Sequence, residues 1–316
     1  RSTLFPYTTL FRSVKFTNET YADIVRNQLP ELPPENILSE PIYRSTAPSV
    51  AWASHRVFRL CPEANLVVTP SDQAIQGEEA FQRDIIRGLE FVSKNDGMLT
   101  LGVKPTRPEP GYGYIQMGKA VEDDVFEVQS FTEKPDREFA RVFMQSGEFY
   151  WNTGLFLFNA RFAFTRFSEL LPPVLRQYDA DNPEFDAHEE ALFIHENFPL
   201  YPNLSIEHGI LESSNDVFVM QCHFGWADLG TWHGMYEAMQ KGENDNVVID
   251  SDVILEDSSN NIIKLPKGKL GVINGLEGFI VVEKDNVLLI CKKEDSSAKV
   301  RKYVNEVMLK KGEGFV

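Results

Sequence analysis

Residues 65–72 read NLVVTPSD, and the fold turns on this stretch. A short, mostly apolar run of this kind predicts a strand in a buried parallel sheet, where both faces are covered. It stops at Pro70-Ser71-Asp72. Downstream, the pattern predicts a helix over 78–94 and a second strand over 98–103. Upstream, Thr46 is expected to cap a helix that carries Pro48 in its first turn and runs to about Leu60. Before it come a short extended piece over 36–38, leading to Glu40-Pro41, and a helix over 21–29, with Tyr21, Ile24, Val25 and Leu29 near helical spacing. Residues 14–16 read as the end of a strand. This βαβα alternation implies an open α/β sheet with helices on its faces.

The middle of the chain is less regular. Residues 111–117 and 125–132 alternate like paired strands, and 149–158 read as an aromatic-rich strand. Residues 160–196 are mostly helical with a break at Pro172-Pro173, 217–224 form another strand, and 231–239 a helix. The polar stretch KGENDN over 241–246 is the expected domain boundary, dividing 14–245 from 246–316. Beyond it lie short β-type runs at 247–249, 261–264, 270–273, 279–282 and 287–291, then a helix over about 298–309. No internal repeat is read.

Composition narrows the function. With 31 basic and 47 acidic residues the net charge is −16, a surface that repels nucleic acid and anionic membranes, so neither is an expected partner. An anionic substrate stays possible, since a divalent cation can bridge carboxylates to phosphates. Cys61, Cys222 and Cys291 have no pair spacing, which argues against a disulfide frame or a zinc site and fits a reducing compartment, read as the cytoplasm. No apolar run reaches the roughly 18 residues of a membrane span, and no signal-peptide pattern opens the chain. Residues 1–13, RSTLFPYTTLFRS, resemble a translated sequencing adapter and are set aside from the fold; their other reading is an apolar edge strand. The natural chain is expected to begin near Val14.

Five motifs carry chemistry. Asp72 lies past a strand end, where open α/β sheets bind ligands, and Asp228 lies in FGWADLGTW, read as a turn between strand and helix. Two carboxylates from distant loops suit a hard cation; the bland alternative makes Asp228 a helix cap near Thr231 and Asp72 a turn opener. In EPIYRSTAP, Glu40 either offers a carboxylate to adjacent N–H donors or is a solvated loop acid, and the helix start that follows offers backbone N–H groups. In GYGYIQMG, Gly111 and Gly113 permit close backbone approach to a ligand, or a tight turn. In FTEKPD, Lys134 stands before the stiffening Pro135 and suits a phosphate, with Glu133 beside it for sugar hydroxyls, or the pair is simply a charged strand end in water. In FYWNTGLFLF, Asn152 is polar within an apolar strand and either binds hydroxyls or pairs with backbone at a bulge near Gly154.

Together and in this order, EP-x-x-x-x-TAP, PSD, GYGYI, EKP, WNTG and FGW-x-DLGTW resemble the sugar-nucleotide pyrophosphorylases, most nearly the mannose-1-phosphate guanylyltransferases. The resemblance runs from about Val14 to Val316. It implies a GT-A-like α/β nucleotidyltransferase fold, an open mixed sheet with helices on both faces, plus a small C-terminal β-rich domain. The implied reaction converts GTP and mannose 1-phosphate into GDP-mannose and pyrophosphate by in-line attack, with no covalent enzyme intermediate. Carried over residue by residue, Glu40 and the backbone around Ser45 and Thr46 would meet the base, Asp72 and Asp228 would hold Mg2+, Gly113, Glu133 and Asn152 would meet mannose, and Lys134 would bind the sugar phosphate.

The chain departs from the family pattern at several points. Nothing matches its G-G-x-G-x-R-L-x-P triphosphate loop, so the resemblance implies an impaired literal chain. Ser45 stands where asparagine is usual, Gln73 where histidine follows PSD, and SIEHGILE over 205–212 replaces the usual SIDYGIME, with Glu207 for aspartate. No long cupin region follows, so the short type without an isomerase domain is expected. A sister pyrophosphorylase with another base or sugar and a non-catalytic sugar-phosphate-binding module are the competing readings, and a homodimer is left open.

Overall fold

The structure, a computed structural model, describes residues 13–170, 187–212, 214–294 and 296–315. The expected break at Pro172-Pro173 and nearly all of the adapter-like segment lie outside them. The chain opens with β1 (Lys15–Asn18), α1 (Ala22–Gln28) and β2 (Ile37–Glu40), and β1 and β2 form a separate parallel pair. There follow α2 (Thr46–Leu60), β3 (Asn65–Val68), β4 (Gln73–Gln76), α3 (Glu78–Val92) and β5 (Met98–Val103). The antiparallel pair β6 (Tyr114–Glu122) and β7 (Val125–Thr132) leads to α4 (Arg137–Ser146), β8 (Phe149–Asn159) and α5 (Ala160–Leu170). Then come α6 (Ala187–Asn197), β9 (Val217–Gln221), β10 (Gly225–Asp228) and α7 (Trp232–Ala238).

Six strands form one mixed sheet in the order β3-β8-β5-β9-β7-β6. Only β5 and β9 run parallel; β3, β5 and β6 all pair antiparallel with β8. Alternate side chains of β5 and β8 point to opposite faces, as the strand period demands. Met98, Phe156 and Phe158 pack under α2 and α5, against Trp52 and Phe167. Leu99, Leu101, Leu155 and Leu157 pack under α3, against Ile85 and Phe91. The sheet is therefore covered by helices on both faces, and each fully buried Leu or Phe contributes about 1.5–3 kcal/mol.

The stretch over 65–72 behaves differently from the sequence reading. β3 is an antiparallel edge strand, with Asn65 and Val67 exposed while Leu66 and Val68 are half-buried. An apolar run signals a strand but not its partner's direction, and here, among the described residues, β3 pairs with β8 alone.

Beyond residue 245 the chain coils. β11 (Val247–Ile249), β13 (Ile262–Lys264) and β15 (Phe279–Lys284) stack parallel; β12 (Asp252–Glu256) and β14 (Leu270–Asn274) stack likewise on a second side. β16 (Val287–Lys292) closes the stack antiparallel, and α8 (Ser296–Lys311) follows. Val247, Ile262 and Ile280 stand in register in one buried cluster. Buried Asn246 and Asn261 form a ladder, with Asn261 Nδ2 donating to Asn246 Oδ1 at 3.0 Å and Asn261 Oδ1 accepting from Phe279 N at 2.7 Å. This is a repeat, contrary to the sequence reading: NVVI and NIIK are successive rungs, hidden because the connecting turns differ in length. Trp232, Met235 and Tyr236 of α7 pack into the same cluster, so the helix following Asp228 is anchored to the coil.

Candidate functional site

The two carboxylates meet because β4 and β10 pair antiparallel, with Gln73 opposite Asp228. Asp72, one residue before β4, accepts the Leu229 N–H on its carbonyl at 2.8 Å. Asp228 thus ends a strand rather than lying in a turn, which corrects the sequence reading. A Cβ placed on Gly230 would stand 3.0 Å from Asp228 Oδ1 and 3.2 Å from Asp72 Oδ2, so both oxygens crowd one small residue. Asp228 does not cap α7. Thr231 does, its Oγ1 accepting from Gly234 N at 3.0 Å, while Asp228 Oδ1 accepts from Gly230 N at 2.8 Å. Burial pushes the Asp228 carboxyl above its ordinary range; Gly230 N–H opposes this, Asp72 adds to it, and Lys134 pulls it back.

Lys134 sits between β7 and α4. Its φ is +46°, a left-handed conformation uncommon for a residue with a side chain, and its Nζ lies 2.5 Å from Glu133 Oε1. Asp136 caps α4 two residues on, accepting from Phe139 N at 3.0 Å. Strain of this kind, held by a cap and a proline, clusters at functional sites.

Gly113 lies beneath the same corner. A Cβ there would meet Glu133 Oε2 at 2.8 Å and Phe131 at 2.9 Å, and its carbonyl accepts from Asn152 N at 2.8 Å. Gly111 is different: its open side faces Glu109 Oε1 and Ser297 of α8, each at 2.9 Å. The first glycine of GYGY therefore admits protein rather than a ligand. Asn152 uses its oxygen internally, accepting from Thr100 Oγ1 at 3.0 Å and Gly154 N at 3.2 Å beside the bulge between β5 and β8, which leaves its amide hydrogens as donors.

Glu40 ends β2 as a buried carboxylate, with Ser49 Oγ of α2 donating to its Oε1. Burial raises its pKa and that hydrogen bond opposes the rise. Thr46 is the first residue of α2 rather than its cap, because its Oγ1 accepts from Ile206 N at 2.9 Å. Ser45 occupies the cap position with φ +61° and no side-chain cap bond. Ala47 N–H donates to Leu204 O and Pro48 has none, so the donors expected at this helix start narrow to Ser45 and Thr46.

Ile206 leads into Glu207, which opens a π-helical turn, Glu207–Leu211, a form concentrated at functional sites. Burial raises the Glu207 carboxyl, which feels both Glu133 and Lys134. Glu207 thus joins the Glu133–Lys134 corner to the start of α2, a role that SIEHGILE signalled only as a motif. Gln73, noted in the sequence only as a departure from the family pattern, is a second such residue. Its Nε2 donates to Thr153 O, and its buried Oε1 accepts no hydrogen bond among the described residues. Among the described residues no three His, Cys, Asp or Glu form a metal-holding group. The donor set is the Asp72–Asp228 pair, hard oxygens that suit Mg2+ completed by phosphate and water oxygens.

The chain is similar to known proteins. Residues 9–245 match the Nucleotidyl transferase family. A mannose-1-phosphate guanylyltransferase of Klebsiella pneumoniae is 32% identical over 285 residues, covering 88% of this chain and 60% of that protein. The alginate biosynthesis protein AlgA of Pseudomonas aeruginosa is 33% identical over 294 residues, covering 88% of this chain and 58% of its own length. The chain therefore spans about 60% of the length of such curated relatives. A solved structure from Thermus thermophilus, described as a mannose-1-phosphate geranyltransferase, superposes with a TM-score of 0.74 at 25% identity, covering 92% of this chain and 83% of that one. With a mixed sheet covered on both faces and a family match across three quarters of its length, this chain belongs to the nucleotidyl transferase family.

Proposed function

We propose that the site serves the synthesis of GDP-mannose and pyrophosphate from GTP and mannose 1-phosphate. The observation that carries this reading is the β4–β10 pairing that brings Asp72 beside Asp228, whose carboxyl feels both Asp72 and Lys134. The choice of mannose and guanine rests on the relatives described as mannose-1-phosphate guanylyltransferases. Asp72 and Asp228 would hold Mg2+, which supplies charge neutralisation to the phosphates. Lys134, a compact point charge, holds the sugar phosphate. Glu133, the Asn152 amide and the Gly113 backbone orient the sugar hydroxyls. Glu40 accepts from guanine's adjacent N–H donors on the oxygen that Ser49 leaves open. Such a site works by positioning and by fixed charge rather than by a covalent intermediate. The scattered cysteines and acidic surface suit a reducing compartment, the cytoplasm, and no described helix is long and apolar enough to cross a membrane.

Nucleotide-sugar titrations with Mg2+ test this reading. GDP-mannose is expected to bind at least about tenfold more tightly than UDP-glucose, and Glu40→Gln to narrow that gap, since a lost hydrogen bond to a charged group costs about 1.5–3 kcal/mol. Equal binding of the two nucleotide sugars contradicts it.

A further inference from the structure

A cleft of about 520 Å³ lies between the loop preceding Tyr112 and the C-terminal coil; neither Asp72 nor Asp228 lines it, though its Glu109 acts on Asp228. Arg107 and Arg137 enter it from the sheet side; Lys292 and Lys293 enter from the end of β16. In a chain of net charge −16, four basic side chains converging from two parts of the molecule call for an anion. Three carboxylates also face the cleft: Glu109, Glu277 and Glu294. Two of them are engaged, Glu109 with Arg107 at 3.4 Å and Glu294 with Arg137.

The two lysines are not matched in this way. Among the described residues neither makes an ion pair with a carboxylate. Lys293 is buried, its ammonium 3.0 Å from the Tyr236 ring centre and 2.5 Å from Asn260 Oδ1. Lys292 lies 5.3 Å over Phe279. Ring faces and an amide oxygen offset a buried charge only in part. Burial pulls Lys293 down to about 8, with Glu237 and Asp245 opposing and Lys241 and Arg107 adding to the fall. His233, also lining the cleft, falls to about 3 through burial and the neighbouring Arg107, Lys293 and Lys241, and so adds no charge at neutral pH. Arg107 is pre-set for a ligand: its guanidinium lies 4.9 Å from the Trp151 ring centre and 5.8 Å from that of Tyr112.

We propose that this cleft is a binding site for a small oligophosphate anion, which Arg107 and Arg137 meet from one side and Lys292 and Lys293 from the other. A fixed guanidinium fork matches phosphate oxygens in pairs, and lysines add point charges along the same ligand. The volume falls within the roughly 300–1,000 Å³ of ordinary small-molecule sites. An occupant would tie the coil to the loop that leads into Gly113, and so bear on the sugar site. Arg301 already donates to Pro110 O at 3.4 Å across this junction. The proposal does not rest on the guanylyltransferase reading.

Pyrophosphate titrated calorimetrically into the metal-free chain is the test, with folding of each variant checked by its melting curve. Binding is expected in the millimolar range or tighter, weakened about tenfold or more by Arg107→Gln or Lys293→Met and unchanged by Lys134→Ala. The exposed Lys292→Ala leaves the fold intact and is expected to weaken binding several-fold, so it decides the matter if Lys293→Met does not fold. Loss of binding in Lys134→Ala alone, absence of binding to the unaltered chain, or equal affinity for inorganic phosphate would overturn the assignment.

Discussion

At Asp228, burial and the neighbouring Asp72 oppose the charged form more than Gly230 N–H and Lys134 support it. The folded-state pKa is raised, so the folded state favours the protonated acid. The cost of the charge is absent at low pH and appears as pH rises through the folded pKa. Asp228→Asn, which mimics the neutral form, is therefore expected to melt at a higher temperature than the unaltered chain at pH 7 without divalent cation. The difference should vanish below about pH 4, where ordinary carboxylates protonate. Mg2+ should raise the melting temperature of the unaltered chain and not of the variant. A variant that melts lower at pH 7, or still responds to Mg2+, contradicts the assignment. Spacing alone left Asp72, Asp228 and Lys134 open between a ligand role and a turn, a cap or a solvated strand end; the family resemblance singled them out, and the β4–β10 pairing brings Asp72 and Asp228 together. Gly111 stayed open between ligand approach and a tight turn because a glycine's open side looks alike in both; here Glu109 and a distant residue, Ser297, face it. Gln73 and Glu207 acquire a site role only through packing from other elements.

Among elements, the long periodic ones stood out: β5 and β7 match the sequence reading at both ends, and α7 starts one residue after the expected Thr231. β4 and β10 did not stand out. Each is four residues of mixed polarity, and their pairing joins segments far apart in sequence. Yet that pairing places the carboxylates, so the least legible elements do the most for the site. In the coil, the Asn ladder holds the rungs. Asn261 is fully buried, and its Nδ2 donates to both Asn246 Oδ1 and Leu276 O. Asn261→Ala removes these bonds and strands the Phe279 N–H. At about 1–3 kcal/mol for each orphaned group, a loss of about 3 kcal/mol or more is expected in denaturant titration. A loss below about 1 kcal/mol would show that the ladder is incidental.

Across the whole molecule, a chain of net charge −16 keeps one lysine, Lys134, among the carboxylates of Glu133, Glu207 and Asp228, and the β4–β10 pair and the coil-anchored α7 fix the position of Asp228. The central claim is that Lys134 binds the sugar phosphate. Calorimetric titration of mannose 1-phosphate, with GTP titrated separately, into the unaltered chain and Lys134→Ala tests it most directly. The account predicts a loss of about 1.5–3 kcal/mol in mannose 1-phosphate affinity, roughly tenfold to over a hundredfold, with GTP little changed. It also predicts incomplete rescue by Lys134→Arg, because a planar fork does not replace a compact ammonium. Unchanged mannose 1-phosphate affinity in Lys134→Ala, or a loss confined to GTP, would contradict it.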